Sequence, residues 1–328
     1  MTVVRLCVLL IAALCWSSPG AGPALAQDYP TRPVTIIVPF APGGSVDFIG
    51  RLVGQKLSDR LGRPVIVENR PGAGSATGAL AVSKAAPDGY TLLLAPSGTF
   101  AINPTLYKQL SYDPAKDLIP VALVVRDPLL LLVNPSLPVK SVADLIKLAK
   151  EKPGKLSFAS SGAGTSLHLL GELLKTSAGI DMVHVPYRGG ALAMQDLLAG
   201  QVDLMFADPA TGVPQAQAGK ARALGVSSAT RLPAAPDIPT VAEAGLPGFE
   251  MVSWQLIAAP AGTPEPIVAK LNTALKAVMA EPDVQKPVID RGEVPVVSPS
   301  PHELTAFVAA ETTRWGKVVQ EAGLAGSL

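Results

Sequence analysis

Cysteine is nearly absent from this chain. Cys7 and Cys15 are the only two in 328 residues, and both fall in an apolar leader. Beyond that leader no thiol is left to form a disulfide, ligate a metal or act as a nucleophile. Excess charge is also missing: Lys and Arg number 27 against 26 Asp and Glu, with only 16% of residues charged. No basic surplus can neutralise phosphates, which argues against a nucleic-acid partner. Histidine occurs three times, at His168, His184 and His302, with no paired spacing and no Asp-rich loop. Neither a metal nor a cofactor is therefore expected. After the leader no stretch is long and apolar enough to span a bilayer. The longest, 118–133, is interrupted by Pro120, Arg126, Asp127 and Pro128.

What is present is apolar and finely punctuated. Hydrophobic residues make up 48%, with 30 Gly and 32 Pro, enough for a large core joined by short, defined connections. The length favours two domains. Residues 1–26 read as a signal peptide: Arg5 is the one charge, 6–16 is the apolar stretch, and Ala24-Leu25-Ala26 fits the small-x-small cleavage rule. The expected mature protein starts at Gln27, is exported and has balanced charge. An uncleaved anchor is disfavoured by the short apolar run, and lipidation at Cys15 by Leu14 before it.

From Tyr29 the pattern alternates strands and helices. Strands are expected at 34–38, 64–68, 91–95, 118–125, 129–133, 157–159, 183–185, 202–206, 221–226 and 252–258. Helices are expected at 45–61, before Lys84, at 142–151, 165–178, 190–199, after Asp208, at 266–280 and at 302–322. Strands separated by helices of this length argue for an α/β fold of two lobes, each a mainly parallel sheet flanked by helices. Lobe 1 would be discontinuous, 27–126 plus 250–328, and lobe 2 would be 127–249. The crossings at 121–127 and 249–259 would form a two-segment hinge.

Two stretches share one design. Phe40-Ala41-Pro42-Gly43-Gly44-Ser45-Val46-Asp47 follows a strand and opens a helix, and so does Ser160-Ser161-Gly162-Ala163-Gly164-Thr165-Ser166 with His168 one turn on. A strand, a glycine turn and a helix start place free backbone N–H groups at one spot, which holds an anion without any basic side chain. Facing each other, the two would clamp a carboxylate. Asp47 reads equally as a dipole partner or cap, His168 as a structural hydrogen-bonder or a contact, and Asp208 as a helix cap or a reader of a ligand hydroxyl or amine. A Ser161–His168 hydrolase lacks the G-x-S-x-G elbow. The loose G-x-G-x-x-x-G at 72–78 lacks the acidic residue a dinucleotide site needs after the next strand.

These motifs resemble one family: the periplasmic receptors of tripartite tricarboxylate transporters, also called Bordetella uptake (Bug) proteins. The likeness spans the mature chain. It rests on Tyr29-Pro30, Arg32-Pro33-Val34, Pro39–Gly44 with Asp47, Glu68–Gly74, Pro87–Thr91, Ser161–Thr165 with His168, Val185–Gly189, Gly200–Asp203 and Pro260–Pro264. It implies a two-lobed periplasmic binding protein, type II-like, that is monomeric and not an enzyme. Such a receptor closes on a small organic carboxylate and delivers it to a membrane permease, or presents it to a signalling partner. The contacts it implies are Phe40, Ala41, Gly43, Gly44 and Asp47 in one loop and Ser161, Gly162, Gly164, Thr165 and His168 in the other. Ser97, Tyr187 and Asp208 would read the far end of the ligand. Which carboxylate is bound stays open.

Overall fold

The computed structural model describes residues 29–328; the expected signal peptide and its cleavage site at Ala26 lie outside the described residues. Arg32–Leu328 form one unit that holds two sheets. The first sheet has the order β11-β4-β10-β3-β1-β2. Its strands are β1 (Val34–Val38), β2 (Val65–Asn69), β3 (Thr91–Pro96), β4 (Leu118–Asp127), β10 (Ser253–Pro260) and the short β11 (Val294–Pro295). The second sheet has the order β7-β6-β8-β5-β9, from β5 (Leu130–Val133), β6 (Ser157–Ser160), β7 (Val183–Pro186), β8 (Leu204–Ala207) and β9 (Arg222–Val226).

Both sheets are mixed rather than mainly parallel. β1 lies parallel to β2 and β3, and β6 parallel to β7 and β8, as strands joined by helical crossovers do. The strands next to the two crossings run the other way: β10 is antiparallel to β3 and β4, and β5 to β8 and β9. The chain leaves the first sheet at the end of β4 and returns through β10. The segments expected to form the hinge, 121–127 and 249–259, fall largely in β4 and β10, two long, paired strands of the first sheet, with β10 buried along all eight residues.

Nine helices of eight residues or more flank the sheets among the described residues: α1 (Ser45–Leu61), α2 (Ala76–Ser83), α3 (Val142–Glu151), α4 (Ser166–Ala178), α5 (Gly190–Leu198), α6 (Pro209–Gln217), α7 (Glu265–Met279), α8 (Pro282–Asp290) and α9 (Pro301–Glu321). Their boundaries are written in local chemistry. Ser141 caps α3 and Thr165 caps α4. Ser300 and Glu303 form a reciprocal capping box at α9. Gly62 and Gly179 close α1 and α4 in the left-handed conformation. α8 is absent from the expected helices; Pro282 sits in its first turn, where the missing N–H costs nothing, and Pro287 lies inside the helix. Helical turns also lie at Gly98–Ile102, Asn103–Leu106 and Pro114–Asp117, a stretch for which no element was expected. Trp254 and Trp315, both almost fully buried, anchor the core, and both indoles donate to Glu311 Oε2. None of the described helices is long and apolar enough to cross a membrane.

Candidate functional site

The loop after β1 ends in an open helix start. Gly44 stands at the N-cap of α1 in extended conformation, and no side chain caps the helix. The first-turn N–H groups of Ser45, Val46 and Asp47 have no carbonyl four residues back to bond within the helix. Ala41, Gly43 and Gly44 are exposed and Phe40 is half-buried. Gly43 has φ +92°, a conformation that favours glycine. Asp47 fastens this loop from inside. Its carboxylate accepts from the Gly43 N–H at 3.0 Å, from Arg51 Nε at 3.0 Å and from Asn69 Nδ2 at 2.8 Å. Burial by itself would raise this carboxyl, but those partners outweigh it and hold Asp47 below the usual carboxylate range. Asn69 also donates to the Phe40 carbonyl, so β2 braces the loop.

The loop after β6 is built on histidines. Thr165 Oγ1 donates to the Gly162 carbonyl at 2.7 Å and accepts the His168 N–H. His168 Nδ1 accepts the Gly164 N–H at 3.3 Å, and Ser160 Oγ accepts the Gly162 N–H and contacts His184 Nε2 at 2.7 Å. The rings of His168 and His184 stack at 3.9 Å, with Phe158 beyond at 4.9 Å from His184. Ser161 and Ser166 stay partly exposed on the loop surface. His168 takes no hydrogen bond from Ser161; its ring supports the loop from beneath, and the fully buried Ser160 is the serine that meets a histidine.

Burial, followed by the positive charges around them, lowers His168 to about 3 and His184 to about 4. Both are neutral at physiological pH. The unfolded chain takes up protons below about pH 6.5, where a free imidazole titrates, and the native chain does not. Their contribution to stability is therefore complete above about 6.5 and is lost as pH falls toward 4, by up to about 1.4 kcal/mol per pH unit for His168. NMR resonances of both imidazoles should stay at their neutral positions down to pH 5. A midpoint between 6 and 7 for either ring would count against this arrangement.

The loops of the second sheet meet the first sheet at two places. A side chain at Gly98 would start 3.3 Å from the Gly164 carbonyl, and one at Gly74 would start 3.2 Å from the Ala163 carbonyl. On the other side, Pro209 packs so tightly against Gly292 that a Cβ there would lie 2.4 Å away. The three residues expected at the far end of a ligand are placed differently from one another. Ser97 is buried, its hydroxyl 2.9 Å from that of Ser253. Tyr187 donates to Asp196 at 2.7 Å, and burial followed by that carboxylate pushes its phenol up to about 12. Asp208 stands at the N-cap position of α6 without a capping bond.

Asp208 has neighbours that sequence reasoning missed. Ser45, the first residue of α1, is hydrogen-bonded through Oγ to Glu293 Oε1. Gln255 Nε2 donates to Ser45 Oγ at 3.2 Å and to Asp127 Oδ2 at 2.9 Å. Asp127, Gln255 and Glu293 are each less than 5% exposed. Burial and, second to it, the charge of Asp127 push Glu293 up; burial also pushes Asp127 up, and it raises Asp208 to about 6 against the opposing pull of Arg291. Arg291 itself lies over the Phe48 ring at 4.1 Å. The available signal was a polar residue inside an apolar strand, as at Asp127 and Gln255, since such residues are buried only with partners. A separate concavity of about 480 Å³, lined by residues such as Val213, Ala223 and Ile238, contains none of the loop residues. Among the described residues no group of histidines and carboxylates is arranged to hold a metal.

The chain's sequence relatives share this frame. BugT of Bordetella pertussis is 39% identical over 306 residues, which cover 92% of this chain and 93% of BugT. A protein of R. palustris solved with adipate superimposes with a TM-score of 0.85 at 40% identity, covering 90% of this chain and 99% of that one. MatC of Rhodopseudomonas palustris, solved with bound malate, gives 0.82 at 38% identity, covering 89% and 100%. The profile of the tripartite tricarboxylate transporter family receptor matches residues 49–324. With two helix-flanked sheets, two glycine-rich helix starts and that match over most of its length, the chain belongs to the tripartite tricarboxylate transporter receptor family.

Proposed function

We propose that this protein is a periplasmic receptor that captures a small organic carboxylate in the cleft between two lobes and passes it to a tripartite tricarboxylate-type membrane permease. The observation that carries the reading is the open N-terminus of α1 at an exposed glycine loop. Such a start carries roughly half a positive charge and three unbonded N–H donors, a site suited to an anion. The loop at 160–166 supplies the second jaw. Phe40, Ala41, Gly43 and Gly44 would meet the ligand through backbone, with Ser161, Gly162, Gly164 and Thr165 opposite. Asp47 and His168 would shape the jaws from behind. The adipate and malate seen in the two solved relatives fit this class of ligand.

Lobe 1 would be 27–126 plus 250–328 and lobe 2 would be 127–249, a division supported by the presence of two separate sheets. The hinge would bend at the chain crossings beyond Asp127 and before Ser253. Export rests on the leader, with cleavage after Ala26, and the protein would act as a monomer. It is a receptor rather than a catalyst: Ser161 has no histidine bonded to it, and the neutral His168 is occupied by Gly164. A thermal-shift screen of mono- and dicarboxylates on the mature protein should find acids that raise the melting temperature. If sugars or cations raised it and no acid did, the carboxylate reading would be lost. Ser161→Ala should leave ester and amide hydrolysis at the background already seen with the parent protein; turnover by the parent that vanished in the variant would make this an enzyme.

A further inference from the structure

The acidic cluster beside α1 is short of donors. Asp127 Oδ1, Gln255 Oε1 and Glu293 Oε2 are buried acceptors without a hydrogen-bond partner. Buried polar atoms are rarely left so, and each unpaired one costs about 1–3 kcal/mol. Gln255 is the decisive member: its Nε2 is bonded to both Ser45 and Asp127, while Oε1 of the same amide is left unpaired on a side chain only 1% exposed. Charge points the same way. Asp127, Asp208 and Glu293 act on one another, and Arg291 is the cation acting on the last two. Three carboxyls face one guanidinium in a buried place, where burial holds Asp127 and Glu293 above the usual carboxylate range, and an arriving cation would displace the protons they keep. Arg291 Nε is also unpartnered, the one spare donor in the set.

We infer that this cluster receives the ammonium group of the ligand, and that the protein's ligand is an amino acid held as a zwitterion. The inference rests on the carboxylate reading above and narrows it. An ammonium brings three donors and one positive charge, against three unpaired acceptors and carboxyls that can give up protons to it. A hydroxyl would bring one donor and no charge. Position agrees as well. Ser45 presents its backbone N–H at the helix start while its side chain touches Glu293 and Gln255. A carboxylate at that helix start therefore has its own amino substituent within reach of the cluster, and the Arg291 N–H remains for a ligand oxygen. A second carboxylate, as in adipate, would add charge of the wrong sign.

The test is a set of matched pairs on the parent protein by calorimetry at pH 7: each protein amino acid against its deaminated acid, such as alanine with propionate and glutamate with glutarate. At least one amino acid should bind ten times more tightly than its partner. In Asp127→Asn that preference should shrink tenfold or more, with the deaminated acid little changed. Binding of the amino acid should also release protons, seen as a dependence of the heat on buffer ionisation enthalpy. Deaminated acids that bind as well as or better than their amino partners would overturn the inference and leave the carboxylate reading standing. Failure of every acid, amino or not, would remove both. If Asp127→Asn does not fold, the pairs and the proton release on the parent protein decide alone.

Discussion

Gly44→Val should give a folded protein that no longer captures organic acids. Gly44 is the N-cap of α1, with φ −85° and ψ 178°, a conformation open to any residue. A Cβ built there meets nothing within 4 Å, so the fold has room for the side chain. Valine is at ease in extended backbone, and although it is a poorer N-cap than glycine, the loss of about 1 kcal/mol leaves the protein folded. The unused space beside Gly44 is the approach to the first-turn N–H groups, which is where an anion would sit. An isopropyl group in that approach blocks close contact and should weaken carboxylate binding at least a hundredfold, about 2.8 kcal/mol. Calorimetric titration with the tightest acid, alongside a melting curve, separates the two effects. Unchanged affinity would show that the ligand does not use this helix start. Gly43 is a poor choice for the same question, since its φ of +92° would mix backbone strain with blocked access.

The second large effect concerns the floor of the other loop. Gly171 lies in α4 directly against Phe158, and a Cβ there would fall 2.2 Å from one ring carbon and 2.5 Å from another. Phe158 is fully buried in β6 and stacked on His184, so it has little freedom to step aside. Overpacking of this kind costs typically 1–3 kcal/mol, and we place Gly171→Ala near the upper end, at about 3 kcal/mol. The urea midpoint should fall by roughly 1 M. Phe158→Leu added to Gly171→Ala should recover part of the loss because the two sites share one space. An unchanged midpoint in Gly171→Ala would mean that α4 and β6 are not packed as described. Because the ring also supports His184, and through it His168, the single variant should weaken acid binding as well.

Much of this architecture is legible in the residues because the cues are local. The strand at Val34–Val38 and the helices at Ser45–Leu61 and Val142–Glu151 have the bounds that their apolar pattern and flanking turns imply. Both glycine loops stand where a strand hands over to a helix, which is a matter of adjacent residues. What the pattern conceals is pairing at a distance. The antiparallel setting of β5 and β10 depends on strands scores of residues away. The helix at Pro282–Asp290 is hidden by prolines that its geometry tolerates. The site divides in the same way. Asp47 and His168 lie in recognisable motifs, yet the bonds they make point into their own loops. Glu293 and Asp127 are joined to Ser45 and Gln255 from four separate parts of the chain, and no spacing rule connects them.

The two crossings carry a consequence for how the protein forms. The second sheet is drawn entirely from 130–226, an unbroken stretch, whereas the first sheet places β10, at 253–260, between β3 and β4. The second sheet can assemble as soon as its own segment is available. The first cannot close its centre until a strand more than 120 residues beyond β4 has arrived. Contacts so distant in sequence are slow to form, and the waiting strands stay open to wrong partners. For a chain that reaches its compartment from the N-terminus onward, the half carrying α1 would then begin to emerge first and mature last.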